Sequence, residues 1–307
     1  MAEAYMSERI LGDFDSGDKS NLMILVGALH GNELAGYKAT NNVFEELRKN
    51  KTKINGRVIG IAGNLQAIKA KKRFIDHDLN RAWKPEILDR VLATPEEELT
   101  HEDLELKILH GILDDLGTQG YKKTYLIDMH TTSADNGIFL VHPGYPDQES
   151  IARELRLPTV INLDVYLPGT LLKFMRGYGF NSFAFEAGQI GSEKAIDIHT
   201  FGIWELLHKT GIIDQSHDLG HLIHYEEILA SLHKPLPGIV RVLHRHEIKE
   251  KDYFHMKPGY ENFQTVTEGE LLAQDKSGEI HAPMDGLIFM PLYQNAGNDG
   301  FFIVEEL

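Results

Sequence analysis

The sequence predicts an α/β fold with a largely parallel sheet, joined to a small C-terminal all-β domain. Short apolar runs that end in Gly-flanked polar turns alternate with amphipathic helical segments, the pattern of strands connected through helices. After "HKPLPG" (233–238) helical periodicity disappears, and short strand-like runs split by Gly, Asp and Asn replace it.

"LMILVGAL" (22–29) is a short apolar run and reads as a buried strand. "ELAGYKATNNVFEELRKN" then spaces Leu34, Tyr37, Val43, Phe44 and Leu47 at helical intervals. "GRVIGIAGN" (56–64) reads as a second buried strand. "TPEEELTHEDLELKILHGILDDLG" (94–117) reads as an amphipathic helix with an acidic first turn, stopped by Gly117. "KTYLIDMHTTS" (123–133) is a third strand with His130 near its C-terminal end. "NSFAFEAG" (181–188) is another, ending in a carboxylate, and helices follow over roughly 193–209 and 219–233. "IVRVLHRHEI", "ELLAQDKSGEIHAP" and "GLIFMPLY" supply the later strands, which divides the chain into residues 1–234 and 235–307. The acidic opening, "MAEAYMSERILGDFDSGDKS", is assigned no element.

Composition narrows the chemistry. The chain has 307 residues, 42% apolar and 25% charged, ordinary values for a globular protein. It contains no run of apolar residues long enough to span a membrane and no secretory signal core at its N-terminus, so a cytoplasmic location is expected. A net charge of -15 disfavours nucleic acid and anionic lipid as partners, while leaving room for a local basic pocket. With no cysteine, disulfides and thiolate metal sites are excluded, and any metal must be held by His, Asp and Glu.

"GALHGNELAG" (27–36) raises the metal question, because His30 and Glu33 stand three positions apart. With 16 His and 46 acidic residues, His-x-x-acid pairs arise by chance roughly twice, and the Glu version recurs at His224/Glu227 and His244/Glu247. Spacing alone decides nothing. Context separates the first pair: a buried strand ending in a Gly-flanked turn delivers side chains to the C-terminal edge of a sheet, where open α/β sheets bind ligands. His130 and Glu186 also lie at predicted strand ends, so parallel neighbours would bring all four residues together. Two His and one Glu with a position left for water suit catalytic zinc.

"GALHGNE", "RFIDHDLNRAW" (73–83), "LIDMHTT" and "FAFEAG", in this order, resemble the aspartoacylase and succinylglutamate desuccinylase family, relatives of the zinc carboxypeptidases. The resemblance implies a zinc-carboxypeptidase-like mixed, largely parallel sheet with helices on both faces. It implies one zinc per chain on His30, Glu33 and His130, with Asp78 orienting His30. Glu186 matches the glutamate that moves the proton between water and leaving nitrogen, and Arg73 the arginine that stabilises the oxyanion. Asn80 and Arg81 match the pair that clasps the substrate carboxylate, and Arg176 an arginine for a second acidic group. The β domain would hang over the pocket mouth. Aspartoacylase places a tyrosine there, but "PLYQNAGNDGFFIV" offers no clear equivalent, since Tyr293 falls earlier.

His217, His221 and His224 share one helical face, read as a solvated or interface face; His244 and His246 are read as structural or surface residues. The expected function is zinc-dependent hydrolysis of the amide bond of a small anionic N-acyl amino acid. The rivals are a carboxypeptidase or cell-wall peptide amidase acting on a longer substrate, and a non-catalytic metabolite-binding protein. A homodimer is possible by resemblance.

Overall fold

A computed structural model describes residues 9–307 apart from 133–136, 145, 147–149, 215–219, 232–235 and 294–297. The first half runs β1 (Ile10–Asp15), β2 (Asn21–Gly27), α1 (Ala35–Asn50), β3 (Arg57–Ala62), α2 (Leu65–Ala70), α3 (Pro85–Ala93), α4 (His101–Thr118) and β4 (Lys123–Thr132). β5 (Ile138–Val141), β6 (Thr159–Ile161), α5 (Leu163–Tyr166), α6 (Leu171–Arg176), β7 (Asn181–Gln189), α7 (Glu193–Lys209) and α8 (Gly220–Ala230) follow. The remainder is β8 (Ile239–Glu247), β9 (His255–Met256), β10 (Gln264–Val266), β11 (Leu271–Asp275), β12 (Gly278–His281), β13 (Gly286–Phe289) and β14 (Asp299–Glu306).

Among the described residues eleven strands form one sheet in the order β1-β3-β2-β4-β7-β5-β6-β8-β14-β13-β10. β3, β2, β4 and β7 are mutually parallel, the segments whose apolar runs mark them as buried on both faces. Alternation along β2 divides the core. Met23 and Leu25 pack with Val43, Phe44 and Leu47 of α1 and Trp204 and Leu207 of α7. Leu22, Ile24 and Val26 face the other way, against Leu88 and Val91 of α3 and Leu106, Leu109, Leu113 and Leu116 of α4. Each of those leucines contributes about 1.5–3 kcal/mol by leaving water, so α4 is held by its face more than by helix propensity.

α4 starts later than expected. Thr100 and Asp103 form a reciprocal capping box, which sets the first turn at His101. Residues ahead of it form α3 and a short 3-10 turn at Glu96–Glu98. β1, inside the acidic opening, pairs antiparallel with β3 and is an edge strand, with only Leu11 and Gly12 buried.

The C-terminal strands do not stand apart from the sheet. β8 pairs parallel with β6, Val160 opposite Val240, so hydrogen bonding crosses the boundary expected at 235. β14 then divides two cores by alternation: Phe302 and Val304 pack with Phe139 and Val160, while Phe301 and Ile303 pack with Leu272 and Ile288. β12, β11 and β9 form a separate three-stranded sheet. Among the described residues no helix is long and apolar enough to cross a membrane.

Candidate metal centre

The turn after β2 is shaped by close packing. Ala28 takes a left-handed backbone, φ 59°, a conformation that L residues adopt at a cost and mostly where function or tight turns demand it. Gly36 lets α1 press against β4, since a Cβ there would lie 2.4 Å from Met129 Cβ. The Glu33 N–H donates to the His30 carbonyl at 3.0 Å, closing the turn that folds Glu33 back beside His30. His130 arrives from β4 with Glu186 as its Cα partner on parallel β7.

His30, Glu33 and His130 are all buried, and one ligand atom from each lies within 4.8 Å of the others, a group that could hold a metal ion. Nδ1 of His30 is 2.9 Å from Glu33 Oε1, and Nδ1 of His130 is 3.0 Å from Glu33 Oε2. The opposite nitrogens face carboxylates: His30 Nε2 lies 3.2 Å from Asp78 Oδ1 and His130 Nε2 lies 2.9 Å from Asp128 Oδ2. Carboxylates thus face both nitrogens of each ring, and Arg73 Nη2 also stands 2.9 Å from His30 Nε2; in the tautomer with Nε2 protonated toward Asp78 or Asp128, Nδ1 is left as the nitrogen that can ligate a metal. In that tautomer the two Nδ1 atoms and the Glu33 oxygens converge on one point, an arrangement that a bound cation would satisfy. The donor set, two imidazoles and one carboxylate, suits zinc.

Electrostatics follow from this crowding. Burial alone would raise the Glu33 carboxyl, but His30 and His130 outweigh it and hold it well below the usual range. Burial would lower His130, yet Asp128 and Glu33 drive it well above the ordinary imidazole value. Asp78 is likewise held far down by His30, Arg73 and Arg81 against its burial. Glu186 goes the other way: desolvation, aided by Glu33 and Asp128 and opposed by His130, pushes it up to about 8. Its Oε2 is buried with no partner.

These residues line a cavity of about 390 Å³ whose walls include Arg73, Asp78, Arg81 and Glu186. Arg73 Nη1 donates to Glu33 Oε1 at 2.8 Å, and the Gly31 N–H donates to the Arg73 carbonyl at 3.0 Å. Arg81 Nη1 donates to the Asn80 carbonyl at 2.8 Å. Asn80 is buried: its Oδ1 accepts from the Leu171 N–H at 2.9 Å, and its Nδ2 lies 3.4 Å from Asp128 Oδ2. Its Nδ2 also lies 3.3 Å from His130 Nε2, so Asn80 joins the polar loop to α6 and β4 beside the metal group.

Arg176 does not line this cavity, a correction to the expected site. It ends α6 and lines a different cavity, with Lys123 and Asn181, at the N-terminal ends of β4 and β7. Five strand residues, roughly 16 Å, separate that end from Glu186. The third arginine of the pocket is Arg245, from β8, which the sequence reading passed over. Arg245 Nε donates to Asp299 Oδ1 at 2.6 Å and Nη1 to the Tyr166 carbonyl at 3.3 Å. Asp128 was also passed over, although D-x-H on a strand places both side chains on one face.

The C-terminal region contributes Asn262, Met290, Pro291, Leu292, Asn298 and Asp299 to the cavity lining. Tyr293 turns away, its hydroxyl accepting from the Tyr260 N–H at 2.9 Å. His217 lies outside the described residues. His221 stacks on Trp204, centroids 4.4 Å apart, and pairs with Glu46, while exposed His224 pairs with Glu227. His246 stacks on Phe301 at 4.9 Å. Among the described residues none of these histidines joins the metal group.

The chain is similar to known proteins over most of its length. A sequence model of the succinylglutamate desuccinylase/aspartoacylase catalytic domain matches residues 19–202. A probable aspartoacylase of Trichodesmium erythraeum is 26% identical over 275 residues, 84% of this chain and 89% of the relative. A succinylglutamate desuccinylase of Shewanella denitrificans is 23% identical over 282 residues, 87% of this chain and 76% of the relative. Among solved structures, the succinylglutamate desuccinylase of Chromobacterium violaceum superposes with a TM-score of 0.68 at 16% identity, covering 100% of this chain and 97% of the other. Murine aminoacylase 3 superposes with a TM-score of 0.60 at 17% identity, covering 94% and 96%. Matched by that domain over more than half its length, the chain belongs to the succinylglutamate desuccinylase/aspartoacylase family of deacylating hydrolases.

Proposed function

We propose that the protein hydrolyses the amide bond of a small anionic N-acyl amino acid, with His30, Glu33 and His130 holding one zinc ion. The observation that carries this reading is the pairing of two Nδ1 atoms and a carboxylate at one point, each imidazole backed by its own carboxylate, beside the unpartnered Oε2 of Glu186. Zinc held there by His30, Glu33 and His130 would lower the pKa of a water and polarise the amide carbonyl.

The remaining steps fall to the chain. Glu186 takes the proton of the attacking water and delivers it to the leaving nitrogen, a role that a carboxyl of raised pKa fills near neutral pH. Arg73, already against Glu33, faces the carbonyl oxygen as it gains negative charge. Arg81 and Arg245 give the pocket a cationic wall for the substrate's carboxylates. Asn262, Met290–Leu292 and Asn298 narrow the mouth, which favours a small substrate over a peptide. A proton-moving glutamate has no use in a protein that only binds a metabolite.

The test is amine release from a panel of N-acetyl, N-succinyl and N-formyl amino acids, with and without chelator, for the wild type and Glu186→Gln. Chelator-sensitive release that Glu186→Gln lowers by about 10²–10⁴-fold is expected. Equal release by both proteins would remove Glu186 from the reaction.

A further inference from the structure

The loop from Arg73 to Arg81 provides much of the pocket wall, including Arg73, Phe74, Asp76, His77, Asp78 and Arg81, yet its middle belongs to no strand or helix. The N–H groups of Ile75, Asp76 and His77 therefore need acceptors from elsewhere. They find one side chain. Glu102, in the first turn of α4 and 0% exposed, accepts from Ile75 N at 2.7 Å through Oε1 and from Asp76 N and His77 N at 2.8 and 3.3 Å through Oε2. Asn64 Nδ2, at the end of β3, donates to Oε1 at 3.0 Å. Among the described residues no cation pairs with this carboxylate; four N–H donors and the N-terminus of α4 satisfy it.

We propose that Glu102 is a positioning residue of the active site: its buried carboxylate fixes the loop that places Arg73, Asp78 and Arg81. The inference rests on the function proposed above for what those residues do, and on the hydrogen bonds alone for what Glu102 does. A glutamine cannot substitute. Whichever way its amide turns, an NH₂ group faces two of the four donors and leaves buried N–H groups unpaired. Asp78 orients His30, so displacement of the loop also loosens the metal group.

Glu105 provides the matched control. It lies one turn along α4, is also fully buried, and accepts from Gln66 N at 3.1 Å while pairing with Arg9, two partners that lie outside the loop. Glu102→Gln and Glu105→Gln are compared in the full-length, zinc-loaded protein by amide hydrogen exchange at residues 75–77, zinc dissociation constant, and kcat and KM. Glu102→Gln is expected to speed exchange at these amides at least about tenfold, weaken zinc about tenfold and lower kcat/KM about 10–100-fold. Glu105→Gln is expected to lower the Tm comparably while leaving the other values within about twofold. If Glu102→Gln does not fold, Glu102→Asp, which keeps the charge but shortens the reach, is expected to show the same pattern at about 3–10-fold. Unchanged exchange and zinc affinity in the Glu102 variant, or equal changes in the Glu105 variant, overturns the proposal. A wild type without amidase activity contradicts the proposed reaction, while exchange and zinc affinity still decide the role of Glu102.

Discussion

His30/Glu33 and His224/Glu227 share one spacing and nearly one distance, 2.9 and 3.0 Å between His Nδ1 and the Glu carboxylate, yet their surroundings are opposite. The first pair is 5% and 2% exposed, the second 56% and 67%. Burial strips water from the first pair and brings His130, Asp78 and Asp128 to it, whereas water competes for the second and leaves a contact of little energetic weight. A motif becomes a site when the fold removes the solvent and supplies the second set of partners.

Substitution at the two pairs sharpens the contrast most. His30→Ala is expected to abolish stoichiometric zinc binding and with it the hydrolysis, a loss of at least about 10³-fold in kcat/KM. His224→Ala is expected to leave metal content unchanged and stability within about 0.5 kcal/mol. Metal analysis and a melting curve check both. Asp128→Asn comes next: it weakens the acceptor that fixes the His130 tautomer, so the zinc dissociation constant should rise about 10–100-fold, read by competition with a chelator of known affinity.

Arg245 and Arg176 repeat the contrast among cations. Arg245→Ala should raise KM for an anionic substrate about tenfold or more with a smaller change in kcat, and Arg176→Ala should leave both within about twofold. An increase in KM for Arg176→Ala instead would place the second acidic group of the substrate at the far end of the strands.

His199 extends the comparison to a buried imidazole with a single acceptor. It is fully buried, its Nε2 donates to the Phe185 carbonyl at 2.9 Å, and desolvation, helped by His130, pulls its pKa down to about 4. The unfolded chain takes up this proton from about pH 6.5 downward and the folded chain only near pH 4, so the unfolded state binds more protons between those values. Stability therefore falls as pH drops through that window, by up to about 3 kcal/mol from this residue. His199→Gln, which can still donate to Phe185, should flatten the dependence; an unaltered slope between pH 4 and 6.5 would show that other groups carry it.

The strands that hold the site were legible because β2, β3, β4 and β7 are apolar on both faces and end in polar turns. His30, Glu33, His130 and Glu186 could be placed together because parallel neighbours share one C-terminal edge. Arg176 could not: ten positions before Glu186 counts residues along the chain, while a turn and five strand residues carry it to the opposite edge. Arg245 stayed hidden because the pairing of β8 with β6 is non-local and leaves no mark in either segment. β5 and β6, with four and three residues, are too short to show alternation. The same pairing makes deletion of residues 235–307 a poor probe of pocket access, since it would expose β6 as an edge as well as opening the mouth.

The buried His-Glu-His group is tested most directly by zinc stoichiometry and chelator-sensitive amine release measured together on wild type, His30→Ala and His224→Ala. About one zinc per chain with release in the wild type and in His224→Ala, and neither in His30→Ala, is the predicted result. Zinc and release that survive in His30→Ala, or a wild type that binds no zinc when it is supplied, would contradict the assignment.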